Sequence, residues 1–336
     1  MSIWTIHTAL EWTTDHFSKA GEHNPRLVSQ QLLAYATGLS RLELYLDYER
    51  PLSVNERATL REAIKRRDAH EPLQYIMGYA PFRHLELIVR SPVLIPRPET
   101  EMLVELVLDE LVCGGATKAF FSGDAQENAA SFRTSDANAV SFRTSDANAV
   151  YLEKTTSFDK PKVLDVGTGT GCIALSLLHE HPCCLIVATD NDACALELAK
   201  DNAQLLEKTQ SNRVTFLLDD LATSLLTSPQ DQKSFDVVVS NPPYIPSDLI
   251  DTLPCEVRYF ENKQALDGGV DGLRVFELLS KQATRLLKPG GLLACELHEQ
   301  CLDSAANILS AMAYNDIVIH NDLTERQRFI TARNCS

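Results

Sequence analysis

Two patterns of apolar residues divide the chain. From residue 1 to about 70, apolar positions recur at helical spacing and strand-like runs are almost absent. Asn24-Pro25 is typical of a helix start, and Ser40 and Ser53 are each followed three residues later by the glutamate of a capping box. The pattern predicts four or five short helices in a small bundle.

The character of the sequence changes between residues 71 and 101. Two extended segments are joined by Arg90-Ser91-Pro92, which predicts a β-hairpin with its turn at those residues. A helix is predicted from about Glu99, because Leu103, Val107 and their neighbours lie on one helical face.

From residue 161 onward, short apolar runs alternate with helical patterns, which favours an α/β fold. The predicted strands are Leu185–Thr189, Val214–Leu218, Phe235–Ser240 and Leu292–Leu297, with a terminal antiparallel pair near 317–320 and 329–331. The predicted helices begin at Cys172, near Asp192, at Leu273 and near Ser304. Residues 256–261 and 265–272 are predicted to form loops at the rim.

The run Phe235–Ser240 ends on Asn241-Pro242-Pro243-Tyr244. Proline cannot donate to a strand ladder, so the strand stops there and Asn241 lies at the carboxyl edge of the sheet, where ligands of α/β folds bind. The Asn241 carboxamide oxygen and the Pro242 carbonyl are two acceptors that suit a planar NH2 group. Holding both N–H bonds can orient a nitrogen that is otherwise a poor nucleophile. A plain proline turn after a strand is the alternative.

A glycine loop, Gly167-Thr168-Gly169-Thr170-Gly171, follows an apolar run that begins at Pro161. The spacing is GxGxG, and Cys172 stands where a dinucleotide fingerprint requires glycine. There is no Gly-Lys-Ser/Thr of a P-loop. Glycines let the backbone approach a ligand closely, so the loop predicts a ligand site, with a tight turn as the alternative.

Acidic residues follow the next two predicted strands. Asp190 is placed to accept both hydroxyls of a ribose, and Asp219-Asp220-Leu221 could line a purine pocket. Each acid by itself is typical of a cap or turn, but their recurrence at successive strand ends favours a nucleoside site.

Composition narrows the classes of function. The length of 336 residues suggests about two domains. The 46 Asp+Glu against 31 Lys+Arg give a net charge of −15, which argues against a protein that binds nucleic acid through its phosphates. The nine cysteines form no CxxC pair or His/Cys cluster, so we expect neither a metal site nor disulfides. No basic leader or membrane-spanning apolar run is present, and we expect a cytoplasmic protein with no membrane partner.

The motifs together resemble those of class I S-adenosylmethionine-dependent methyltransferases. More narrowly, the chain is similar to the PrmC/HemK family of peptide chain release factor N5-glutamine methyltransferases. The matching segments are Pro72–Gly78, Leu94–Glu101, Asp165–Gly171, Ser240–Tyr244 and Ala265–Gly269. Arg97-Pro98-Glu99-Thr100-Glu101, preceded by a helical domain, is more specific than Asn-Pro-Pro-Tyr, which is shared with other amino-methyltransferases.

The resemblance implies a doubly wound seven-stranded methyltransferase sheet preceded by a small helical bundle. It implies that S-adenosylmethionine is the cofactor and that Gly167–Gly171 wrap its methionine part. Asp190 would bind its ribose, and Asp220 and Leu221 would lie beside its adenine. Asn241 would also contact the cofactor. Asn241 and the Pro242 carbonyl would hold the glutamine amide of the Gly-Gly-Gln loop in class 1 release factors, while Pro243 and Tyr244 shape the slot. The enzyme is expected to act as a monomer.

The predicted domains are a helical substrate-docking domain at 1–75, a hairpin and helix connector at 76–112, an insertion at 113–160 and a methyltransferase domain at 161–336. The insertion contains the ten residues of 131–140 repeated letter for letter at 141–150, which indicates a tandem duplication in a tolerant surface loop.

Three other functions share the same core. An enzyme acting on a glutamine of ribosomal protein L3 or on an exocyclic amine of a nucleic acid would use the same tetrapeptide. A non-catalytic protein that only binds S-adenosylmethionine would be marked by an altered Asn241, which is intact here.

Overall fold

The computed structural model of the protein describes residues 4–113, 160–181, 183–312 and 314–335. Across these ranges the chain divides into two compact units. The first comprises Met1–Pro81, Glu86–Ile95 and Asp248–Ala265, and the second comprises Phe82–Leu85, Pro96–Ser247 and Leu266–Ser336. Both units are discontinuous in sequence, whereas the predicted domains are continuous, and the domain boundaries stay a prediction. Apart from Cys113 and Lys160, the insertion predicted at 113–160 lies outside the described residues.

The first unit is built mainly from helices, and those that begin at Pro25, Arg41 and Val54 start where the sequence predicts. The Ser40 hydroxyl accepts from the Glu43 N–H while the Glu43 carboxylate accepts from the Ser40 N–H, and Ser53 and Glu56 repeat this exchange. The apolar faces share one core, and the predicted bundle is confirmed. Its helices along residues 4–78 are α1 (Ile6–Lys19), α2 (Pro25–Thr37), α3 (Arg41–Leu46), α4 (Val54–Asp68) and α5 (Leu73–Met77).

The second unit is organised around a sheet that, in the described part of the chain, has seven strands. They are β3 (Lys162–Val166), β4 (Leu185–Asp190), β5 (Val214–Leu218), β6 (Phe235–Ser240), β9 (Leu287–Glu296), β10 (Tyr314–Asn321) and β11 (Gln327–Asn334). Their order across the sheet is β10-β11-β9-β6-β3-β4-β5. The pairs among β5, β4, β3, β6 and β9 are parallel, whereas β11 is antiparallel to both β9 and β10.

Helices alternate with these strands as the pattern predicts. After α5, the helices of the described residues are α6 (Thr100–Cys113), α7 (Cys172–Glu180), α8 (Ala193–Ala203), α9 (Lys208–Ser211), α10 (Thr223–Thr227), α11 (Cys255–Phe260), α12 (Arg274–Leu286) and α13 (Leu302–Ala311). Of these, α11 belongs to the first unit. The chain winds from β3 through β4 to β5 on one side and from β6 to β9 on the other. Because crossovers between parallel strands are right-handed as a rule, this reversal of direction implies helices on both faces. The strand order thus confirms the predicted doubly wound α/β class. The central strand β6 is buried along almost its whole length, as its valine run predicts.

Three local predictions were wrong. The hairpin consists of β1 (Tyr79–Phe82) and β2 (Leu85–Ile88), so its turn lies at Arg83-His84 and not at 90–92. Arg83 adopts a φ of 50°, a left-handed conformation that propensity rules do not expect for arginine. The hydrogen bonds that its guanidinium donates to Glu180 and Glu105 hold it in place.

Residues 256–261 were predicted as a loop, but most of them form helix α11. None of the helix residues is fully buried, which is why no apolar stripe marked it. Its Glu256 accepts a 2.6 Å hydrogen bond from Arg67, whose guanidinium also binds Glu22. This long-range ion pair fixes α11 within the first unit.

Residues 265–272 were predicted as rim loop, and there the chain forms the short strand β8 (Asp267–Gly269) instead. It pairs in parallel with β7 (Ile245–Pro246), which directly follows the Asn-Pro-Pro-Tyr segment. None of the helices among the described residues is long and apolar enough to cross a membrane.

Candidate active site

Two loops flank the position where the strand order reverses. The glycine loop follows β3, and Asn241 to Tyr244 follow β6, which is the parallel neighbour of β3. The Ser240 hydroxyl donates a 2.6 Å hydrogen bond to the Val166 carbonyl and joins the two strand ends. Ligands of open α/β sheets bind in the crevice at this reversal. The fold therefore brings the two principal sequence motifs to one site.

The glycine loop depends on backbone angles that side chains disfavour. Gly167, Gly169 and Gly171 have φ values of 73°, 57° and 83°. The N–H groups of Gly167 and Thr168 both donate to the Thr189 carbonyl at 2.9 Å, which ties the loop to the end of β4. A Cβ built on Gly167 or Gly169 would meet nothing within 4 Å. These two positions thus leave open space that backbone can offer to a ligand.

Thr168 and Thr170 are the other predicted members of the loop. Both are buried, and both form hydrogen bonds with neighbouring residues of the protein. The Thr168 hydroxyl donates to Asp165 Oδ2 at 2.7 Å, and the Thr170 carbonyl accepts from the Asn202 side chain at 2.9 Å. The first contact ties the loop to the end of β3, and the second ties it to α8.

Asp165 is a residue of this site to which the sequence analysis gave no role. It is fully buried, and Oδ2 also accepts from the Ala174 N–H at 3.2 Å. Burial raises the pKa of Asp165 to about 7, and the nearby Asp190 adds to this effect while the bonds from Thr168 and Ala174 oppose it. A buried acid two residues before a glycine loop was the signal that could have identified it.

Asp190 lies at the carboxyl end of β4, as predicted. Its Oδ2 accepts from the Gly169 N–H at 2.8 Å and its Oδ1 accepts from the Asp192 N–H at 2.9 Å. Burial raises the pKa of Asp190, and the two backbone bonds oppose that rise. Each carboxylate oxygen has a further lone pair. The side chain therefore orders the glycine loop and keeps acceptor capacity for a ligand.

The three residues predicted to line a purine pocket behave differently from one another. The Asp219 carboxylate accepts from the N–H and the hydroxyl of Ser224 in the first turn of α10. Asp220 is exposed, and its carbonyl accepts from the Thr223 N–H. Leu221 is half-buried with a φ of 56°, a strained conformation for leucine of the kind that clusters at functional sites.

Asn241 is held by a polar chain that links three distant parts of the sequence. Its Nδ2 donates to the Thr100 hydroxyl at 3.1 Å, and Thr100 donates to Glu296 Oε2 at 2.7 Å. The Tyr244 hydroxyl donates to Glu296 Oε1 at 3.2 Å. Burial raises the pKa of Tyr244, and the charge of Glu296 raises it further, so the phenol stays a donor.

Thr100 and Glu296 are site residues that the sequence analysis did not select. Thr100 belongs to the Arg97–Glu101 segment that carried the resemblance, but it had no assigned role. Glu296 ends an apolar run on β9, and an acid at that position was the only available signal.

The turn after Asn241 is supported by glycines of the following segment. A Cβ on Gly268 would lie 2.8 Å from the Pro243 carbonyl oxygen, and one on Gly272 would lie 2.4 Å from the Tyr244 carbonyl oxygen. Backbone packs directly against backbone here. This close approach explains why residues 268–272 are rich in glycine, and it holds Pro243 and Tyr244 in place beside the buried Pro242.

Comparison with known proteins agrees with this geometry. The family described as PrmC N-terminal domain matches residues 8–78, and the Methyltransferase small domain family matches residues 131–252. A release factor glutamine methyltransferase of Rhodopirellula baltica is 32% identical over 329 residues, which cover 98% of this chain and 96% of that protein. A release factor glutamine methyltransferase of Geobacter sulfurreducens is 33% identical over 331 residues, 98% of this chain and 97% of that protein.

The chain belongs to the release factor glutamine methyltransferase family. The similarity suggested by the motifs is thereby confirmed, as are the methyltransferase class and the seven-stranded methyltransferase sheet with its helical bundle. The roles of the individual site residues stay predictions.

Proposed function

We propose that this protein transfers a methyl group from S-adenosylmethionine to the side-chain amide nitrogen, N5, of the glutamine in the Gly-Gly-Gln motif of class 1 release factors. The observation that carries the proposal is the position of Asn241. Its carboxamide is anchored through Nδ2 at the carboxyl end of β6, beside the glycine loop of β3. The relatives named above supply the identity of the protein substrate.

The residues of the site fit the cofactor. The open space beside Gly167 and Gly169 accepts a ligand against the backbone, and the Asp190 carboxylate offers acceptors at the tip of the next strand. Gly167 to Gly171 would hold the methionine part and Asp190 the ribose, with Asp220, Leu221 and Asn241 at the adenine and methyl-donor ends. When bound, S-adenosylmethionine supplies an electrophilic methyl group on a sulfonium.

The chain's own residues act on the nucleophile. The lone pair of an amide nitrogen is delocalised, so the nitrogen attacks poorly until it is oriented and begins to rehybridise. Asn241 Oδ1 and the Pro242 carbonyl accept the two N–H bonds of the substrate amide and hold the nitrogen on the line of attack. These acceptors strengthen as positive charge develops on the nitrogen, which favours the transition state over the ground state. The extra proton leaves to solvent after transfer, so no strong base is required.

The helical bundle at 1–75 is proposed to dock the body of the release factor. A weak nucleophile needs accurate placement, and binding energy from remote contacts can supply it. The segments 76–112 and 161–336 would then carry the connector and the methyltransferase chemistry. Cytoplasmic location, a monomeric state and the absence of a nucleic-acid partner stay predictions.

Mass spectrometry of an intact release factor incubated with the enzyme and S-adenosylmethionine tests the proposal. We expect a single added methyl group on the Gly-Gly-Gln glutamine and much slower reaction with a short Gly-Gly-Gln peptide. A release factor carrying glutamate at that position is the matched control, because it has no amide nitrogen. Parallel assays use DNA, RNA and ribosomal protein L3. Methylation of adenine, or of L3 in preference to the release factor, would overturn the substrate assignment.

A further inference from the structure

Two buried side chains behind Asn241 have no assigned role. Thr100 is 2% exposed and Glu296 is 1% exposed, and they come from the start of α6 and the end of β9. A buried carboxylate costs free energy unless its oxygens are bonded. Here Thr100 and Tyr244 satisfy one oxygen each, at 2.7 and 3.2 Å. Both carboxylate oxygens of Glu296 are therefore hydrogen-bonded, as a buried carboxylate requires.

The number of protons in the cluster determines which group donates in each of its hydrogen bonds. When Glu296 is ionised its carboxylate can only accept, so the single proton of the Thr100 hydroxyl must point at Glu296. The lone pairs of the Thr100 oxygen then face Asn241, and only the NH2 end of the carboxamide can bond to them. Because the amide is planar, its oxygen is turned away from Thr100. The reversed amide would place two acceptor oxygens against each other.

We propose that Glu296 is a positioning residue which, through the Thr100 hydroxyl, holds the Asn241 carboxamide with its oxygen turned to the substrate nitrogen; this role rests on the proposed function. Neither Glu296 nor Thr100 touches the reacting atoms. Their effect is to prevent the amide from presenting its NH2 group, which would repel a substrate NH2 instead of accepting from it.

The charge on Glu296 sets this direction, so the orientation depends on pH. Among the described residues, the other charged or titratable groups that act on this cluster are Arg328 on β11, Arg97 and Glu99 before α6, and Cys172 at the start of α7. Burial raises the pKa of Glu296, and Glu99 adds to the rise, while the bonds from Thr100 and Tyr244 and the charge of Arg328 oppose it. Protonated Glu296 can donate to Thr100, which frees the Thr100 proton to bind Asn241 Oδ1 and allows the reversed amide. We therefore expect turnover to decrease as the pH falls through the pKa of Glu296.

The first test compares Thr100→Val with Thr100→Ser in the full-length enzyme. Valine matches the shape of threonine but has no hydroxyl, so we expect kcat on the intact release factor to fall roughly 10- to 100-fold. The KM for release factor and the affinity for S-adenosylmethionine should change little, because the lost interaction acts on the nucleophile in the transition state. Serine keeps the hydroxyl and should recover most of the loss. Equal rates for the valine and wild-type enzymes, or an equal loss of cofactor affinity, would overturn the proposal.

The second test is the pH profile of kcat for wild type and Glu296→Gln, and it remains decisive if Thr100→Val does not fold. Glutamine cannot ionise, so its profile should lack the acidic decline of the wild type and should lie below the wild-type plateau. An identical acidic decline in both enzymes would overturn the proposal. These outcomes can be distinguished from failure of the proposed function. If the proposed function were wrong, the wild-type enzyme itself would leave the release-factor glutamine unmodified.

Discussion

The carboxylate of Asp190 accepts a 2.8 Å hydrogen bond from the backbone N–H of Gly169. One side chain at the tip of β4 thus orders the loop at the tip of β3. The contact gives Asp190 two tasks: it shapes the glycine loop, and it offers acceptors to the ribose in the proposed cofactor site.

Asp190→Ala should weaken S-adenosylmethionine binding by about 1.5 to 3 kcal/mol, or roughly 10- to 150-fold, through the loss of charge-assisted hydrogen bonds. Asp190→Asn retains one acceptor oxygen and should lose less. Isothermal titration calorimetry measures both affinities. Wild-type affinity in the alanine variant would remove Asp190 from the cofactor site.

Asn241→Ala should reduce turnover on the order of 100- to 1000-fold while cofactor binding survives, because Asn241 acts on the nucleophile as the transition state forms. Single-turnover rates and a cofactor titration of the same preparation measure the two effects. Asn315→Ala, at an exposed position on β10, is a suitable control. Parallel losses of rate and cofactor affinity would instead make Asn241 a cofactor or structural residue.

Gly272→Ala should destabilise the protein and slow turnover together. Gly272 has a φ of 75°, and an added Cβ would lie 2.4 Å from the Tyr244 carbonyl oxygen, so the turn after Asn241 must shift. Gly290→Ala is a matched control, because Gly290 has a φ of 78° but nothing within 4 Å of an added Cβ. We expect the control to cost about 1 kcal/mol of backbone strain and the test variant clearly more. Chemical denaturation and rate measurements compare them, and equal effects would show that the close contact relaxes without cost.

Asp165 should make the stability depend on pH. Its folded-state pKa of about 7 exceeds its ordinary value of 3.8, so the folded protein holds this proton more tightly. The stability that this proton contributes is fully present below about pH 4 and is lost as the pH rises through about 7. Asp165→Asn cannot ionise, and its free energy of unfolding relative to wild type should rise across that window by up to about 4 kcal/mol. Denaturant titrations at several pH values measure this difference, which would stay constant if Asp165 were not the responsible group.

Much of the fold was determined by local sequence. The capping boxes at Ser40 and Ser53 require only neighbours three residues away, and the valine run of β6 marks a buried strand by itself. The glycine loop and the Asn-Pro-Pro-Tyr segment could also be recognised from sequence. The positive φ of glycine and the fixed φ of proline constrain the backbone within a few residues. These signals predicted the bundle, the alternating strands and helices, and the two loops at the sheet edge.

Only the tertiary structure decided the contacts between distant segments. The partner of Thr100 lies 196 residues away at Glu296, and that of Arg67 lies 189 residues away at Glu256. No periodicity records such pairs, since a hydrogen bond or ion pair depends on where the packed elements bring two side chains. For the same reason the true hairpin turn at Arg83, stabilised by Glu180 and Glu105, and the exposed helix at Cys255–Phe260 escaped prediction. The sequence alone singled out Asn241 as a candidate, whereas the packing of α6 against β9 brings Thr100 and Glu296 together behind its carboxamide.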